Sequence, residues 1–359
     1  MLKAYKYRLY PTEQQKAYFA NCFGCARFIY NQMLSDKINH YKETKQMLKN
    51  TPAQYKESFP FLKEVDSLAL ANAQQNLNKA YKNFFRDKSV GFPKFKSKHK
   101  SKANYTTNNQ GGNIRIEDGK IKLPKIGFVK LKQHRAFEGV IKSCTISMNK
   151  SRKYFVSILV KSEEKKMDET DRKIGIDLGI SDFAITTNDL GVTKKHKNPK
   201  YLYKSEKKLK KAQRSLSRKK KGGKNRDKAR IQVAKKHEKI ANQRKDFLHK
   251  LSKQITDENQ VIVIETLSSK KLMKNHQLAK SIGDAGWHEF VRQLDYKAKQ
   301  KGRTIIKADR FYPSSQLCSA CGHRDGKKPL YIRAWACPNC GEHLDRDINA
   351  SKNLLALAK

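Results

Sequence analysis

Residues 173–180 have the sequence KIGIDLGI, in which one acidic side chain, Asp177, interrupts an apolar strand. Residues 183–187 predict a second strand, joined to the first by a turn. The almost continuous apolar run at residues 260–265 predicts a central strand buried on both faces, and Glu265 stands at its end. Two acidic residues therefore belong to strands that are expected to lie in one sheet.

Helical and strand-like segments follow in alternation. The sequence predicts a helix at about residues 284–301, a strand at 303–308 and a final helix at about 348–358. Strands that alternate with helices are typical of an α/β domain, which we expect to occupy residues 171–359.

The first part of the chain has a different pattern. Residues 3–10 alternate between apolar and basic side chains and predict a strand, and mainly helical spacing follows from Pro11 to about residue 85. Beyond residue 113 the period changes to two, which predicts a small β-barrel or sandwich of short strands at 114–116, 120–123, 128–131, 143–148 and 154–160. If the first strand joins this sheet, the helical block is an insertion, and the fold class is α/β plus α+β.

The charge balance indicates a polyanionic partner. The 79 Lys and Arg face 33 Asp and Glu, a formal net charge of +46. Self-repulsion of this size destabilises a compact state unless a polyanion neutralises it. The chain has no run of about 18 apolar residues, no secretory signal and no lipidation motif, so we expect a cytoplasmic, nucleic-acid-binding protein without a membrane partner.

Three carboxylates are placed where they could bind metal ions: Asp177, Glu265 and Asp347, the last at the start of the final helix. Hard divalent cations prefer carboxylate oxygens, and a pair of them can hold both oxygens of an in-line phosphoryl displacement. Each acid taken alone is more typical of a solvated cap or a salt-bridge partner. Asp345, two residues before Asp347, is an alternative as helix cap or as third ligand.

Four cysteines have the spacing of a structural metal site. Cys318 and Cys321 form one CxxC pair, Cys337 and Cys340 form another, and a glycine follows each pair. This spacing is typical of one tetrahedral Zn²⁺ held by four thiolates, with no open position for catalysis. The Cys22-Cys25 pair lies in an apolar helix without a second pair nearby, so we interpret it as core packing.

Two basic segments predict contacts with nucleic acid. Lys94, Lys96, Lys98 and Lys100 alternate with other residues, including Phe95 and His99, a pattern suited to phosphate contacts with occasional base stacking. The segment from residue 200 to 250 carries 21 Lys or Arg against four acids, and we expect a basic helical hairpin over residues 200–255. Near its turn lie Arg214, Arg218, Lys219, Lys220 and Lys221.

Several motifs resemble one family in the same order along the chain. Gly175-Ile176-Asp177-Leu178-Gly179, Ile264-Glu265 and Asp345-Arg346-Asp347-Ile348-Asn349-Ala350 resemble the three RuvC-type motifs of TnpB, a family of transposon-encoded RNA-guided DNA endonucleases. The two CxxC pairs look like its zinc-binding insertion between the second and third motifs. Tyr5-Lys6-Tyr7-Arg8-Leu9-Tyr10-Pro11-Thr12 with Arg27-Phe28-Ile29-Tyr30-Asn31 also resembles the TnpB amino terminus.

This resemblance implies an architecture. It implies a β-barrel wedge domain at residues 1–10 and 104–165, with a helical recognition lobe at 11–103 inserted into it. It also implies an RNase H-like (RuvC) nuclease domain at 171–359, into which the basic hairpin 200–255 and a zinc module at 311–343 are inserted.

The resemblance also implies an activity. Asp177, Glu265 and Asp347 would bind two catalytic Mg²⁺, with Mn²⁺ as a substitute, and Cys318, Cys321, Cys337 and Cys340 would bind one Zn²⁺. The partners would be a guide RNA from the transposon end and double-stranded target DNA, in the cytoplasm of a prokaryote and associated with its nucleoid. Base pairing would select the target sequence, while the protein holds the heteroduplex by its backbone.

Two other functions remain open at this point. One is a DNA strand-transfer transposase on the same RNase H-like scaffold, which needs no RNA and joins DNA ends. The other is a noncatalytic, nucleic-acid-binding regulator of the transposon whose carboxylates are structural.

Overall fold

The computed structural model describes residues 1–163, 167–329 and 331–358, and the chain forms two compact units, residues 1–163 and 164–359. The predicted boundary at residue 165 lies outside the described residues. The first unit consists, in chain order, of β1 (Leu2–Tyr10), α1 (Glu13–Thr44), α2 (Tyr55–Ser58), α3 (Ser67–Arg86), β2 (Ala103–Asn108), β3 (Arg115–Glu117), β4 (Lys120–Leu123), β5 (Gly127–Lys132), β6 (Val140–Met148) and β7 (Tyr154–Lys161). Short 3-10 turns at Pro52–Gln54 and Pro60–Lys63 flank α2.

The seven strands of the first unit form one antiparallel sheet in the order β2-β6-β7-β1-β5-β4-β3. The first strand of the chain therefore lies in the middle, between β7 and β5. Its alternating side chains explain this position. Tyr5, Tyr7 and Leu9 are buried on one face, and the two residues between them, Lys6 and Arg8, are basic. The helical segment α1–α3 is thus inserted between two strands of the same sheet.

The ends of this sheet are not joined. Among the described residues, the strand pairs include none between the outermost strands, β2 and β3. The predicted closure into a wedge barrel is therefore not confirmed, and the structure supports an antiparallel sheet that packs against helices.

Two long helices complete the first core. Thr12 and Gln15 form a reciprocal capping box at the start of α1, and the Asp66 carboxylate accepts a hydrogen bond from the Leu68 amide at the start of α3. Both helices bury apolar side chains against the sheet in one continuous cluster. Cys22 and Cys25 are buried in that cluster, as predicted from their apolar surroundings.

The second unit contains β8 (Lys173–Leu178), β9 (Asp182–Asn188), β10 (Thr193–Lys197), α4 (Tyr201–Ser217), α5 (Lys224–Glu258), β11 (Val261–Ile264), α6 (Ser269–Leu272), α7 (His276–Ala285), α8 (Trp287–Lys301), β12 (Thr304–Lys307), β13 (Ala334–Ala336), β14 (His343–Asp345) and α9 (Arg346–Leu355). Five strands form a sheet in the order β10-β9-β8-β11-β12. The first three are antiparallel neighbours, while β11 pairs in parallel with both β8 and β12. The predicted α/β organisation is confirmed.

Two predicted helices have different bounds in the structure. The helix expected at 284–301 is divided, because Gly286 adopts a φ of +75° that ends α7 and precedes α8. Such a left-handed conformation is typical of glycine after a helix. The last helix begins at Arg346 rather than 348, because Asp345 caps it.

One close approach positions the last helix on the sheet. A Cβ added at Gly175 in β8 would overlap the Ser351 carbonyl oxygen and come within 2.5 Å of the Leu355 backbone nitrogen, both in α9. Only glycine lets the backbones of β8 and α9 come this close. Gly175 therefore fixes the distance between the strand that carries Asp177 and the helix that carries Asp347.

Candidate active site and zinc centre

Asp177 and Glu265 meet at one edge of the second sheet. The parallel register pairs Ile264 of β11 with Ile176 of β8, so Glu265 and Asp177 are the next residues on the two strands. The Glu265 Oε1 atom accepts a hydrogen bond of 2.8 Å from the Leu178 amide, which ties the end of β11 to the end of β8. The two acids that the sequence singled out are thus neighbours.

Asp347 reaches this edge from the first turn of α9. Asp345, the alternative considered from the sequence, is already engaged. One of its carboxylate oxygens accepts hydrogen bonds of 3.0 Å from the amides of Asp347 and Ile348, and the other accepts one of 2.7 Å from Lys195 Nζ. These contacts make Asp345 the helix cap and favour Asp347 as the third carboxylate.

Asp177 is influenced by burial and by the charges of the other two carboxylates. Burial raises the pKa of Asp177 well above its usual range, the charges of Glu265 and Asp347 raise it further, and Arg346 opposes them. Burial also raises the pKa of Glu265, against the hydrogen bond from Leu178. Carboxylates with raised pKa values lack a compensating positive charge, which a divalent cation would supply. The donor set therefore fits a hard metal ion.

Arg333 is a residue of this site that the sequence analysis missed. Its Nη1 atom lies 3.5 Å from a carboxylate oxygen of Asp347, and its side chain is 59% exposed. Arg333 precedes β13 in the cysteine-rich segment, so only the folding of that segment brings it to the carboxylates. Nothing in the local sequence around Arg333 distinguishes it from the many other basic residues.

The four predicted cysteines form a compact cluster. The ligand atoms of Cys318, Cys321, Cys337 and Cys340 all lie within 4.8 Å of one another, and among the described residues they are the group of His, Cys, Asp and Glu that meets this criterion. Two sulfur pairs, Cys318–Cys340 and Cys321–Cys337, are 3.7 Å apart. Four sulfurs about 2.3 Å from a tetrahedral zinc would lie about 3.8 Å apart. The cluster therefore fits Zn²⁺, while the three carboxylates are more widely spaced.

The backbone around the cysteines has the geometry of two matching turns. The Gly322 amide donates to the Cys318 carbonyl, and the Gly341 amide donates to the Cys337 carbonyl, each at 2.9 Å. Both glycines have a positive φ, 75° and 73°, which a side chain would oppose. Each CxxC pair is thereby folded into the same tight turn, with its sulfurs on one side.

The cysteine module, which is the segment that carries the four cysteines, is attached to the helix that carries Asp347. Asn349, in α9, donates to the Leu317 carbonyl at 2.6 Å and accepts from the Ser319 amide at 2.8 Å. Asn353, one helical turn later, donates to the carbonyls of Leu317 at 2.8 Å and Ser314 at 2.7 Å. Because both asparagines are buried, the position of the module and that of α9 depend on each other.

The predicted nucleic-acid contacts divide into two groups. Lys94, Lys98 and Lys100 are exposed, as are Arg214, Arg218, Lys219, Lys220 and Lys221 near the turn between α4 and α5. Lys96 is half-buried, its Nζ lies 3.6 Å from the centre of the Tyr30 ring, and burial lowers its pKa. Lys96 thus has a structural partner that its sequence pattern did not indicate.

Comparison with known proteins identifies the family. Family models described as "Probable transposase", "Cas12f1-like, TNB domain" and "Helix-turn-helix domain" match residues 157–276, 287–354 and 1–46. A protein of Streptomyces pristinaespiralis named "Putative RNA-guided DNA endonuclease" is 38% identical over 99% of this chain and 89% of its own length. The chain belongs to the TnpB family. A second relative, InsQ of Escherichia coli K12, carries the same descriptive name and is 31% identical over 99% of this chain and 92% of its own.

A solved structure shares the TnpB-family fold seen here. The Cas12f1 protein in a cryo-EM structure titled as its complex with sgRNA and target DNA matches 96% of this chain and 83% of its own, with a TM-score of 0.63 and 16% identity. Residues 1–46, matched as a helix-turn-helix domain, form strand β1 and the single long helix α1. No helix in the described part of the chain is both long and apolar enough to span a membrane.

Proposed function

We propose that this chain is an RNA-guided endonuclease that cuts double-stranded DNA complementary to a guide RNA from the transposon end. The observation that carries the proposal is the convergence of Asp177, Glu265 and Asp347 from two parallel strands and a helix start. Membership of the TnpB family and the names of its relatives support the RNA-guided part. The net charge of +46 supports a large nucleic-acid ligand.

The three carboxylates would bind two Mg²⁺, or Mn²⁺ in their place. When bound, such ions stabilise the charge that develops on the attacking and leaving oxygens of phosphodiester hydrolysis. Asp345 holds the first turn of α9 in place and so orients Asp347. Arg333 balances part of the charge of Asp347.

Apart from a short flanking motif, target selection would rest on base pairing with the guide. The exposed cations at residues 94, 98 and 100 and around the turn at 218–221 are suited to phosphate contacts, which carry no sequence information. One Zn²⁺ would hold the module that carries Arg333. This division assigns positioning to the basic surfaces and chemistry to the carboxylates.

The decisive experiment compares matched and scrambled guides on one plasmid. Protein expressed with its native transposon end should copurify with one RNA species. The complex should cut plasmid carrying the matched target next to a short fixed flanking motif, and only with Mg²⁺ or Mn²⁺ present. Equal cleavage with both guides, or RNA-free joining at transposon ends, would favour the transposase alternative.

Substitutions separate the catalytic acids from their neighbours. Asp177→Asn, Glu265→Gln and Asp347→Asn should each abolish cleavage while the complex still binds target DNA. Asp345→Asn should retain most activity, because asparagine caps a helix about as well as aspartate. Asp189→Asn, in the turn between β9 and β10, is the matched control and should cut normally. If Asp347→Asn were active and Asp345→Asn inactive, Asp345 and not Asp347 would be the third metal-binding carboxylate.

A further inference from the structure

Four aromatic rings form an exposed cluster at the end of α3, which we call the aromatic platform: Tyr81, Phe84, Phe85 and Phe92. The Phe92 ring meets Tyr81 edge-on at 5.6 Å and Phe84 at 5.3 Å between centroids. Phe85 lies nearly parallel to Tyr81 at 6.2 Å. Tyr81 is buried, but Phe85 is 67% exposed and Phe92 is 43% exposed. The platform therefore presents flat apolar rings to solvent on a packed base.

The loop that completes the platform is held in place. Asn31 in α1 donates to the Lys96 carbonyl and accepts from the Lys96 amide, both at 2.8 Å. The Lys96 side chain lies over Tyr30, and Pro93 is buried. These contacts fix the chain immediately after Phe92. The exposed rings therefore lie on an ordered surface that is formed before a ligand binds.

Positive charge surrounds the platform. Residues 79–102 contain nine Lys and Arg and one acid, Asp87, whose carboxylate already accepts hydrogen bonds from Ser89. Lys82, Arg86 and Lys88 are exposed and are neighbours of these aromatic residues in the sequence. A protein interface of ordinary composition is depleted in lysine around its apolar centre. Aromatic rings interleaved with cations are instead typical of surfaces that bind unpaired nucleotides, whose bases stack while their phosphates contact the cations.

We propose that the aromatic platform binds an unpaired segment of the resident RNA, with Phe85 stacking on a base and Lys82, Arg86 and Lys88 contacting the flanking phosphates. The identity of this RNA rests on the proposed function. A base inside a duplex has both faces stacked already, so an exposed ring selects unpaired bases. An RNA that stays bound covers the rings continuously, whereas target DNA would cover them only during encounters.

The test measures binding by the full chain after its nucleic acid has been removed at high salt. The probe is a single-stranded oligoadenylate RNA of about 12 nucleotides, within the usual site sizes. Phe85→Ala should weaken its binding by roughly fivefold or more, the effect of losing one stacked base. Binding of a duplex RNA of equal length should not change. Phe85→Trp should restore binding and Phe85→Leu should not, because leucine is apolar but has no flat face.

The matched control is Tyr41→Ala, which removes another exposed aromatic from a helix of the same unit. It should bind both probes like the unsubstituted chain. If Phe85→Ala lost affinity equally for single-stranded and duplex RNA, or lost none, the proposal that Phe85 stacks on an unpaired base would be wrong. If Phe85→Ala lost more affinity for single-stranded DNA of the same sequence than for the RNA, the assignment of the ligand to RNA would be wrong. No cleavage is measured, so this result and that of the guide experiment can fail independently.

Discussion

Gly175 links the geometry of the sheet to that of α9, the helix that carries Asp347. Its missing side chain leaves room for the backbone of Ser351 and Leu355, and backbone atoms cannot move aside as a flexible side chain can. Asp177 follows two residues later in the same strand. A single hydrogen atom in place of a methyl group therefore determines how closely two of the three carboxylates approach.

Gly175→Ala should destabilise the protein by about 1–3 kcal/mol, the usual range for overpacking a core, and should reduce cleavage in parallel. Gly24→Ala is the matched control, for which we expect a gain in stability instead of a loss. It lies in α1 with nothing within 4 Å of an added Cβ, so alanine should stabilise the helix by up to about 1 kcal/mol. Thermal unfolding followed by circular dichroism measures both. A Gly175→Ala protein as stable and active as its parent would contradict the assigned packing role.

The sequence predicted Asp177 and Glu265 because an acid at an apolar strand is recognisable locally. It could not decide between Asp345 and Asp347. Both acids lie at a helix start, where a cap and a metal ligand have the same residue type. Contacts across the fold favour Asp347, above all the hydrogen bond that Asp345 accepts from Lys195. Arg333 was missed for the same reason, since its neighbour Asp347 is fixed by tertiary structure.

At the scale of elements, the cysteine module and α9 are held together by hydrogen bonds from two buried asparagines. Asn349 and Asn353 bond to the segment before Cys318, so the module cannot unfold without freeing two buried amides. Trp335 packs beside Cys318 and Cys337 in the small core of the module, with Lys328 Nζ 3.6 Å from the centre of its ring. The fluorescence of Trp335 should therefore report whether the core of the module is intact.

Purified protein should contain one Zn²⁺ per chain, and Cys337→Ser should lose it. The module core should then open, which would shift Trp335 emission to longer wavelength, increase proteolysis between residues 311 and 343 and lower cleavage. Trp287→Phe in the background isolates the signal, because the chain has two tryptophans. Cys144→Ala, in β6 of the other unit, is the control and should keep its zinc. Unchanged zinc content and emission in Cys337→Ser would refute the site.

Element types were predictable where the hydrophobic pattern was clear, as in β11, α5 and most strands of the first sheet. Strand β2 (Ala103–Asn108) was not predicted. The break between α7 and α8 was not. Glycine is tolerated inside helices, so the pattern gave no sign that Gly286 adopts a left-handed conformation. The strand pattern left a barrel or a sandwich open, the family resemblance implied the wedge barrel, and the strand pairing does not confirm closure. Alternation predicts strands but not which strands pair at the ends of a sheet.

At the scale of the whole molecule, the positive charge is shared between the units. Residues 1–163 contain 32 Lys and Arg against 11 Asp and Glu, and residues 164–359 contain 47 against 22. Each unit alone is therefore strongly basic. A ligand that neutralises the chain has to contact both units, which a folded RNA of sufficient length can do.

Salt should act in opposite directions on the free and bound protein. Raising NaCl from about 50 to 500 mM shortens the Debye length and screens self-repulsion, so the unfolding temperature of RNA-free protein should rise. The same change weakens phosphate contacts through counterion release, so the unfolding temperature of the RNA complex should fall toward that of the free protein. Thermal scans at several salt concentrations test this. Parallel trends for the two samples would contradict a charge-driven association.

The central position of β1 has a consequence for synthesis of the chain on the ribosome. This strand is made before its partners β5 and β7, which comprise residues 127–132 and 154–161. At about 5–20 residues per second, β1 waits on the order of ten seconds for both edges to be covered. During that interval Tyr5, Tyr7 and Leu9 form one apolar face of an unpaired strand. The intervening Lys6 and Arg8 place charges on the other face, a composition that discourages pairing between nascent chains.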